Sequence, residues 1–299
     1  MATTTKLHPD EIDLLSRGVF ETGYKTYVPT GKEIFNTVSP ERLHEKETIG
    51  AIDGSIDEMA EGEVYSETPI REIGSMTFTS VQYGKKAGVS LLTQEFSNFG
   101  MSMKAMNRLG YNARYKQDAL LAAVINGAHN ETTTYDGEYL LSATHLIADN
   151  AAQIQGNLIT GALSPEKINE MYVKLSQMKD HGGLIMPLQE AVLLVPRALA
   201  MNAWQFLNSP NSPTDSNNNR NFVNSLNIKI VIWDQLDQAS AFAYYMLTPK
   251  AFHSLTAYQK TAPSLSMYVD DSNDNLFEKV RFVQTQGAAD YFGIVGSQG

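Results

Sequence analysis

The residues with the clearest spacing for binding a cation lie in the acidic stretch VDDSNDN. Asp271, Asn273 and Asn275 occupy the first, third and fifth positions of a possible calcium-binding loop. The sixth position, which requires glycine, is Leu276, and the twelfth, which requires a bidentate glutamate, is Phe282. The spacing therefore excludes an EF-hand, and the sequence predicts a solvated turn here.

Nucleophilic and zinc chemistry also lack the patterns they need. The segment GVSLL around Ser90 begins like the nucleophile elbow GxSxG but has no second glycine. His145 and Asp149 are four residues apart and His44 precedes Glu45, but no HExxH pair occurs and the chain has no cysteine. Phosphate-binding glycine motifs are missing too. We predict no catalytic residue, no cofactor-binding residue and no metal ligand, and hence a protein that is not an enzyme.

The net charge of the chain limits the classes of partner that it can bind. Among 299 residues, 23 Lys and Arg accompany 33 Asp and Glu, so the net charge is −10. This charge repels nucleic-acid phosphates and argues against a sequence-specific DNA reader. Between Glu41 and Glu72, ten acidic residues accompany three basic ones, a net charge of −7. Such a run indicates either a solvated surface or an arm that meets a basic partner surface.

Composition indicates the compartment in which the chain folds. With 42% hydrophobic residues and no cysteine, the chain can build its cores without disulfides, as suits a reducing cytoplasm. Its apolar runs are too short for a signal-peptide core or a membrane span. We therefore expect neither export by a signal peptide nor a membrane partner.

The N-terminal residues predict an arm rather than a core. HPDEIDLL places Pro9 at a helix start, with Leu15, Val19 and Phe20 following at helical spacing. SPERLHEKE offers Ser39 as the N-cap of a second short helix. Both helices have narrow apolar stripes, so they need a surface outside themselves on which to pack.

An extended two-stranded ribbon is predicted from Gly62 to Val89. In its second half, MTFTSVQYGKKAGVS, apolar and polar side chains are mixed on both faces. A strand that closes its own core usually alternates cleanly between the two classes. Because an isolated ribbon is marginally stable in water, we expect neighbouring molecules to cover this one.

The remainder predicts one long helix followed by an α/β unit. The long helix covers residues 91–128, with an apolar stripe that includes Met103 and Met106 as core side chains. A second helix begins at the N-cap Ser164 and the following Pro165. Beyond it, EAVLLVP, IKIVIW and AFAYYML predict strands, RALAMNAWQFLN predicts a helix, and LFEKVRFVQTQGAADYFGIVG returns to strands.

Five segments in this order resemble the major capsid proteins of tailed bacteriophages, whose fold was first described for phage Hong Kong 97. They are EGEVYSE, YGKKAGVSLLTQEF, RYKQDALLAAVINGA, YDGEYLLSATH and AVLLVPRALAMNAWQFLNSP. YDGEYLLSATH is similar to the DG…H segment of the Mu-like head-subunit group, and the last segment is similar to that group's strand and helix. The resemblance covers most of residues 60–299.

The resemblance implies an α+β fold with four parts. These are an N-terminal arm (1–60), an extended β-hairpin called the E-loop (61–90), a peripheral P-domain (91–149 and 263–299) built on the spine helix 91–128, and an axial A-domain (150–262). In this family the E-loop lies across an adjacent subunit, so the resemblance implies inter-subunit contacts through Met76, Phe78, Val81, Tyr83, Lys85 and Lys86. Some relatives join an E-loop lysine covalently to a neighbour's asparagine, but no motif here identifies the acceptor.

The resemblance also implies a function and a set of partners. Hexamers and pentamers of this chain would form the icosahedral head shell of a virion, assembled in the bacterial cytoplasm around double-stranded DNA without sequence-specific contact. The portal and a scaffolding protein would be partners, and a decoration protein is a further candidate. The alternatives are the shell of an encapsulin-like compartment, which shares the fold, and a cytosolic α/β hydrolase, for which the sequence shows no site.

Overall fold

The computed structural model describes residues 9–51, 56, 58–65, 67–90, 99–147, 150–185, 188–212, 219–270, 272 and 275–299. Its helices are α1 (Pro9–Thr26), α2 (Gly31–Ile34), α3 (Phe99–Asn126), α4 (Pro165–Ser176) and α5 (Ala200–Asn208). Short 3-10 turns lie at Arg197–Leu199, Val223–Ser225, Asp234–Gln238 and Lys250–Phe252.

The strands form two larger sheets and two strand pairs. They are β1 (Asn36–Val38), β2 (His44–Ala51), β3 (Arg71–Thr79), β4 (Val81–Val89), β5 (His145–Ile147), β6 (Asn150–Gln155), β7 (Leu158–Ile159), β8 (Ala191–Val195), β9 (Ile228–Ile232), β10 (Tyr244–Leu247), β11 (Leu255–Asp270), β12 (Asn275–Ala288) and β13 (Ile294–Ser297). The sheet orders are β1-β11-β12-β4 and β7-β13-β10-β8-β9, and β2 pairs with β3 as β5 does with β6.

The long helix α3 is the centre of the structure. Near its start, Met106 and Leu109 pack against Phe20 of α1 and against Leu265 and Val280 of the four-stranded sheet. This agrees with the predicted spine helix, of which residues 91–98 lie outside the described residues. Met106 is fully buried, which confirms its prediction as a core side chain. The helix α1 thus packs on α3 of its own chain.

The five-stranded sheet is buried on both faces. One face, with Leu194 and Tyr245, packs against the C-terminal part of α3 around Ile125 and against Phe35. The opposite face, with Leu193 and Met246, packs against α4 and α5. Two-sided burial explains why EAVLLVP and AFAYYML are apolar runs rather than alternating patterns.

A helix N-cap and a turn that the sequence predicts are both confirmed. The Ser164 hydroxyl accepts a hydrogen bond from the Lys167 backbone N–H at 3.2 Å, with Pro165 as the first helical residue. Asp136-Gly137 forms the expected turn, in which Gly137 has a φ of +80°. Both signals depend on neighbouring residues alone, so the sequence defines them well.

The predicted pairing of the ribbon is wrong. SPERLHEKE does not form a helix: its last residues begin β2, which pairs antiparallel with β3 from His44↔Thr79 to Ala51↔Arg71. The ribbon is therefore β2–β3. The strand β4, assigned to the ribbon by the sequence, pairs instead with β12 at the edge of the four-stranded sheet.

Two predicted boundaries near the C-terminus also need correction. The strand β11 runs unbroken through the boundary placed between residues 262 and 263, because β12 pairs with it almost throughout. The last strand, β13, lies in the five-stranded sheet between β7 and β10. The chain end thus belongs with the α/β unit, whereas the sequence placed residues 263–299 in the P-domain.

We expect the buried His253 to make folding stability depend on pH. Its side chain lies just before β11, where Nδ1 accepts a hydrogen bond from the Leu255 N–H at 3.3 Å. Burial, with nearby Lys250, lowers the pKa of His253 to about 4. The unfolded chain, with an ordinary histidine pKa of about 6.5, binds this proton at higher pH. Stability from neutral His253 is therefore full above pH ~6.5 and declines as the pH falls towards 4, by about 2 kcal/mol at pH 5.

Urea unfolding of wild type and His253→Gln at pH 7.5 and pH 5 measures this contribution. The wild type should lose more stability than the variant between the two pH values. His44→Gln, which replaces an exposed histidine, is the control and should behave as the wild type does. Equal losses in wild type and His253→Gln would show that His253 is not the cause.

Candidate assembly surfaces

The base of the β2–β3 ribbon is fixed to its own chain. The Phe78 ring stacks on Tyr258 with centroids 5.2 Å apart, and Met76 packs beside it. A Cβ on Gly287 would lie 2.2 Å from the Phe78 ring, so only glycine leaves room for this ring. In the single chain Phe78 is 7% exposed and anchors the ribbon. The contact with a neighbour that the resemblance implied for Met76 and Phe78 stays a prediction.

Unlike the base of the ribbon, the connection between β2 and β3 carries exposed apolar side chains. Large apolar side chains in this connection are open to solvent: Ile56 is 98% exposed, Val64 87%, Tyr65 82% and Ile70 77%. Glu61 and Glu63 lie among them and are exposed too. Apolar side chains grouped this way and open to solvent mark an interaction surface.

The other predicted contact residues lie on β4. Val81 is half-exposed and Tyr83 stacks on Phe282 with centroids 5.1 Å apart. Lys85 and Lys86 are exposed and, as consecutive strand residues, lie on opposite faces of the sheet. The Lys86 ammonium lies 4.7 Å from the centroid of the Phe277 ring. The four side chains therefore surround an edge strand rather than forming a ribbon tip, and their contact with a neighbour stays a prediction.

A groove of about 270 Å³ lies between α3 and the edge of the four-stranded sheet; we call it the α3–β4 groove. Its walls are mainly apolar, and two lysines line it, Lys85 from β4 and Lys116 from α3. The Lys116 ammonium lies 5.8 Å from the Tyr83 ring centroid. The complete lining is Tyr83, Gly84, Lys85, Leu109, Asn112, Ala113, Lys116, Val280 and Phe282.

The DG…H segment builds a buried polar pair that the sequence did not identify as one. His145 Nδ1 lies 2.8 Å from Asp136 Oδ2, and the His145 ring stacks on Tyr291 with centroids 3.9 Å apart. Burial alone would raise the pKa of the Asp136 carboxyl, but hydrogen bonds from His145 and Thr134 bring this pKa below its ordinary value. The pair fixes the segment after α3 to the chain end, which is a structural role.

The structure can be compared with two predictions from the sequence, one on metal binding and one on membrane spans. Among the described residues, no group of three or more His, Asp or Glu side chains could hold a metal ion. Asp149 and Asp271, considered above as possible ligands, lie outside the described residues. Within the described part of the chain, none of the helices combines the length and apolar character needed to cross a membrane.

Comparison with known proteins identifies the family. The model of the family described as phage capsid protein matches residues 74–296, about three quarters of the chain. This chain is a phage capsid protein. The match begins within β3 and ends within β13, so it contains the spine helix, the strands of the five-stranded sheet and all of the four-stranded sheet except β1. No match is found among curated protein sequences.

Solved structures show the same fold at low sequence identity. The capsid of cyanophage P-SCSP1u is 10% identical with a TM-score of 0.58, over 91% of this chain and 88% of that one. The capsid of an empty GTA particle is 13% identical with a TM-score of 0.58, over 91% and 90%. A virus-like particle from Pyrococcus furiosus is 10% identical with a TM-score of 0.52, over 95% and 98%.

Family membership confirms the main predictions made from the sequence. The capsid protein has the mixed helix and sheet fold of Hong Kong 97-type shells, is a structural rather than catalytic protein, and is located in the virion head. The closer resemblance to the Mu-like head-subunit group stays a prediction. The sequence missed the groove and the ribbon partner β2, because each depends on contacts between residues far apart in the chain.

Proposed function

We propose that copies of this capsid protein form hexamers and pentamers, and that these close into an icosahedral head shell around double-stranded DNA. The observation that carries the proposal is the β2–β3 ribbon, anchored at its base by Phe78 and exposing Val64 and Tyr65 at its far end. A segment with these properties gains stability only when another molecule covers it. Copies of the same chain are the proposed covering molecules, so the exposed segment supports self-association.

The division into four parts is proposed with boundaries revised by the fold. The E-loop is the β2–β3 ribbon, and the P-domain consists of α3 with the four-stranded sheet. The A-domain is the five-stranded sheet with α4 and α5, and it includes β13. In this arrangement the ribbon of one subunit lies across the next, which makes a head-to-tail contact that repeats around a ring.

Charge supports the proposed cargo. A net charge of −10 per chain makes the shell wall repel DNA phosphates on average, so packaged DNA is enclosed without being held. The portal, a scaffolding protein and a decoration protein are proposed partners.

An enclosed protein compartment is less well supported. The Pyrococcus furiosus virus-like particle shares the fold, but likeness of fold at 10% identity says nothing of the contents. The phage capsid family match favours the viral function. Nuclease-protected DNA inside shells from an infected or induced host would support the viral reading, and protein cargo alone would contradict it.

Assembly of the purified protein tests the proposal. We expect wild-type protein, alone or produced with its scaffolding protein, to form shells, tubes or rings in negative-stain electron micrographs. Val64→Ser should lower the assembled fraction severalfold in sedimentation without changing the melting temperature, because Val64 is 87% exposed in the single chain. Val28→Ser, at a 79% exposed valine outside the ribbon, should assemble normally. Single 33.0 kDa particles under all conditions would overturn the proposal.

A further inference from the structure

We infer that the exposed face of α3 between Lys104 and Lys116 contacts the phosphate backbone of packaged double-stranded DNA; we call it the α3 cationic face. This inference rests on the proposed shell function and adds to it the surface that meets the cargo. The exposed residues of this stretch are Lys104, Arg108, Asn112, Tyr115 and Lys116. Three of them are cations, and the other two carry hydrogen-bond donors.

The described part of the chain provides no ion pair for these cations. The helix α3 contains a single acidic residue, Asp118, whose side chain is fully buried. Among the ion pairs between described residues, none includes Lys104, Arg108 or Lys116. In a protein of net charge −10, three such cations on one helix face form a patch opposite in sign to the chain as a whole. A patch of this kind is complementary to a polyanion.

The length of the α3 cationic face suits a DNA strand. Lys104 and Lys116 are twelve residues apart, so about 18 Å separates them along the helix axis. One strand of B-DNA places a phosphate about every 3.4 Å along its axis, so the face extends along about five phosphates. Arg108 lies one turn after Lys104, and its guanidinium carbon lies 5.0 Å from the centroid of the Tyr111 ring. This ring supports the guanidinium at the surface, where its N–H groups can donate to phosphate oxygens.

Two uncharged residues add donors of the kind that contact phosphates in protein–DNA complexes. Asn112 is exposed and has a side-chain amide. Tyr115 Oη accepts a hydrogen bond from Gln238 Nε2 at 2.8 Å, which orients the ring and leaves the hydroxyl hydrogen free to donate. None of these contacts requires a particular base, so we expect binding that does not depend on DNA sequence.

An acidic protein segment fits this face less well than DNA does. Stable protein interfaces have an apolar centre, but the exposed residues from Lys104 to Lys116 include no aliphatic side chain. DNA needs no apolar centre, since phosphate contacts supply nearly all of non-specific binding. Repulsion from the rest of the chain keeps the contact weak, so DNA can still move while the shell is being filled.

Anisotropy of a fluorescent DNA duplex, titrated with unassembled subunits, measures the contact. The test variant combines Lys104→Gln, Arg108→Gln and Lys116→Gln, which keep a good helix former at each position. At about 50 mM salt we expect the variant to bind the duplex at least about tenfold more weakly than wild type does. Each lost phosphate contact removes about 0.9 from the slope of log affinity against log salt concentration, so the slope should fall by about 2–3.

The matched control neutralises three lysines that form ion pairs within the chain, Lys46, Lys167 and Lys229. Its net charge equals that of the test variant, and it should bind the duplex as wild type does. Equal weakening in both variants would show that total charge alone decides binding, and would overturn the assignment to α3. Tighter binding of polyglutamate than of the duplex by wild type would overturn it in favour of an acidic protein partner.

Cysteine labelling of empty shells tests where the face lies, because the chain has no cysteine of its own. We expect Asn112→Cys to react with a small maleimide in closed shells but not with a polymer-linked maleimide too large to enter. Before assembly it should react with both. Reaction with the large reagent in closed shells would place the face outside and overturn its contact with packaged DNA. Failure of wild type to form shells would contradict the shell function, whereas the duplex titration decides separately whether the face binds DNA.

Discussion

Replacing Asp118 by alanine is expected to destabilise the capsid protein by about 3–5 kcal/mol, because buried hydrogen-bond donors left without an acceptor cost roughly 1–3 kcal/mol each. Asp118 lies on α3 and is fully buried. Its carboxylate accepts three hydrogen bonds, each 2.8 Å long, from the Tyr27 hydroxyl, the Gly31 N–H and the Trp233 indole N–H. Alanine would leave three buried donors without this acceptor.

The three donors explain why the effect should be global. Tyr27 and Gly31 belong to the N-terminal arm, and Trp233 follows β9 of the five-stranded sheet. One carboxylate of the spine helix therefore joins the arm and the α/β unit. Tyr27 is held in the same environment, since burial and the neighbouring Asp118 carboxylate raise the pKa of its hydroxyl. Loss of Asp118 should loosen all three connections together.

Urea unfolding monitored by circular dichroism measures the change, and Asp234→Ala is the matched control. Asp234 also accepts two hydrogen bonds, from the Arg197 guanidinium at 2.8 and 2.6 Å, but both side chains are more than half exposed. Water replaces such bonds readily, so this variant should unfold close to the wild type. Similar midpoints for Asp118→Ala and wild type would contradict the role assigned to Asp118.

The sequence predicted those features that a few neighbouring residues decide. The N-cap at Ser164, the turn at Asp136-Gly137 and the apolar strands of the five-stranded sheet all follow from local geometry or from burial of a whole segment. The buried stripe of α3 was predictable for the same reason, because helical spacing places its side chains on one face.

Strand pairing could not be read in the same way. The sequence placed β3 and β4 in one ribbon because they are adjacent and similar in composition. In the structure, Ser80 separates them, β3 pairs with β2 and β4 pairs with β12, about 200 residues further along the chain. Phe78 of β3 anchors the ribbon to the rest of the chain, and Gly287 leaves the room that the Phe78 ring occupies. A glycine far away in sequence gives no local signal of such a role.

The second large effect is expected from the contact between α1 and α3. The two helices approach so closely that their backbones touch at glycines: a Cβ on Gly110 of α3 would lie 2.1 Å from the Phe20 carbonyl oxygen. A Cβ on Gly23 of α1 would lie 1.9 Å from the Asn107 carbonyl oxygen. Backbone atoms of a helix cannot move aside as a side chain can, so a methyl group must push the helices apart.

Gly110→Ala should therefore lower the free energy of unfolding by about 1–3 kcal/mol, the usual range for overpacking. This loss is expected although alanine is a better helix former than glycine. It should also separate Phe20 from Met106, which are both buried at this contact. Hydrogen exchange in α1 should become faster in the variant, because the helix loses the surface on which it packs. The melting temperature and the exchange rates of α1 amides are the measurements.

Gly18→Ala is the control, and its sign should be opposite. Gly18 lies in α1, the helix that packs on α3, yet a Cβ there would meet nothing within 4 Å. Helix propensity is then the main effect of the substitution, so the free energy of unfolding should rise by up to about 1 kcal/mol. If both substitutions stabilised the protein, the close approach of α1 to α3 would be wrong. Opposite signs from the same chemical change would show that contact between the two backbones, rather than helix propensity, decides the effect at Gly110.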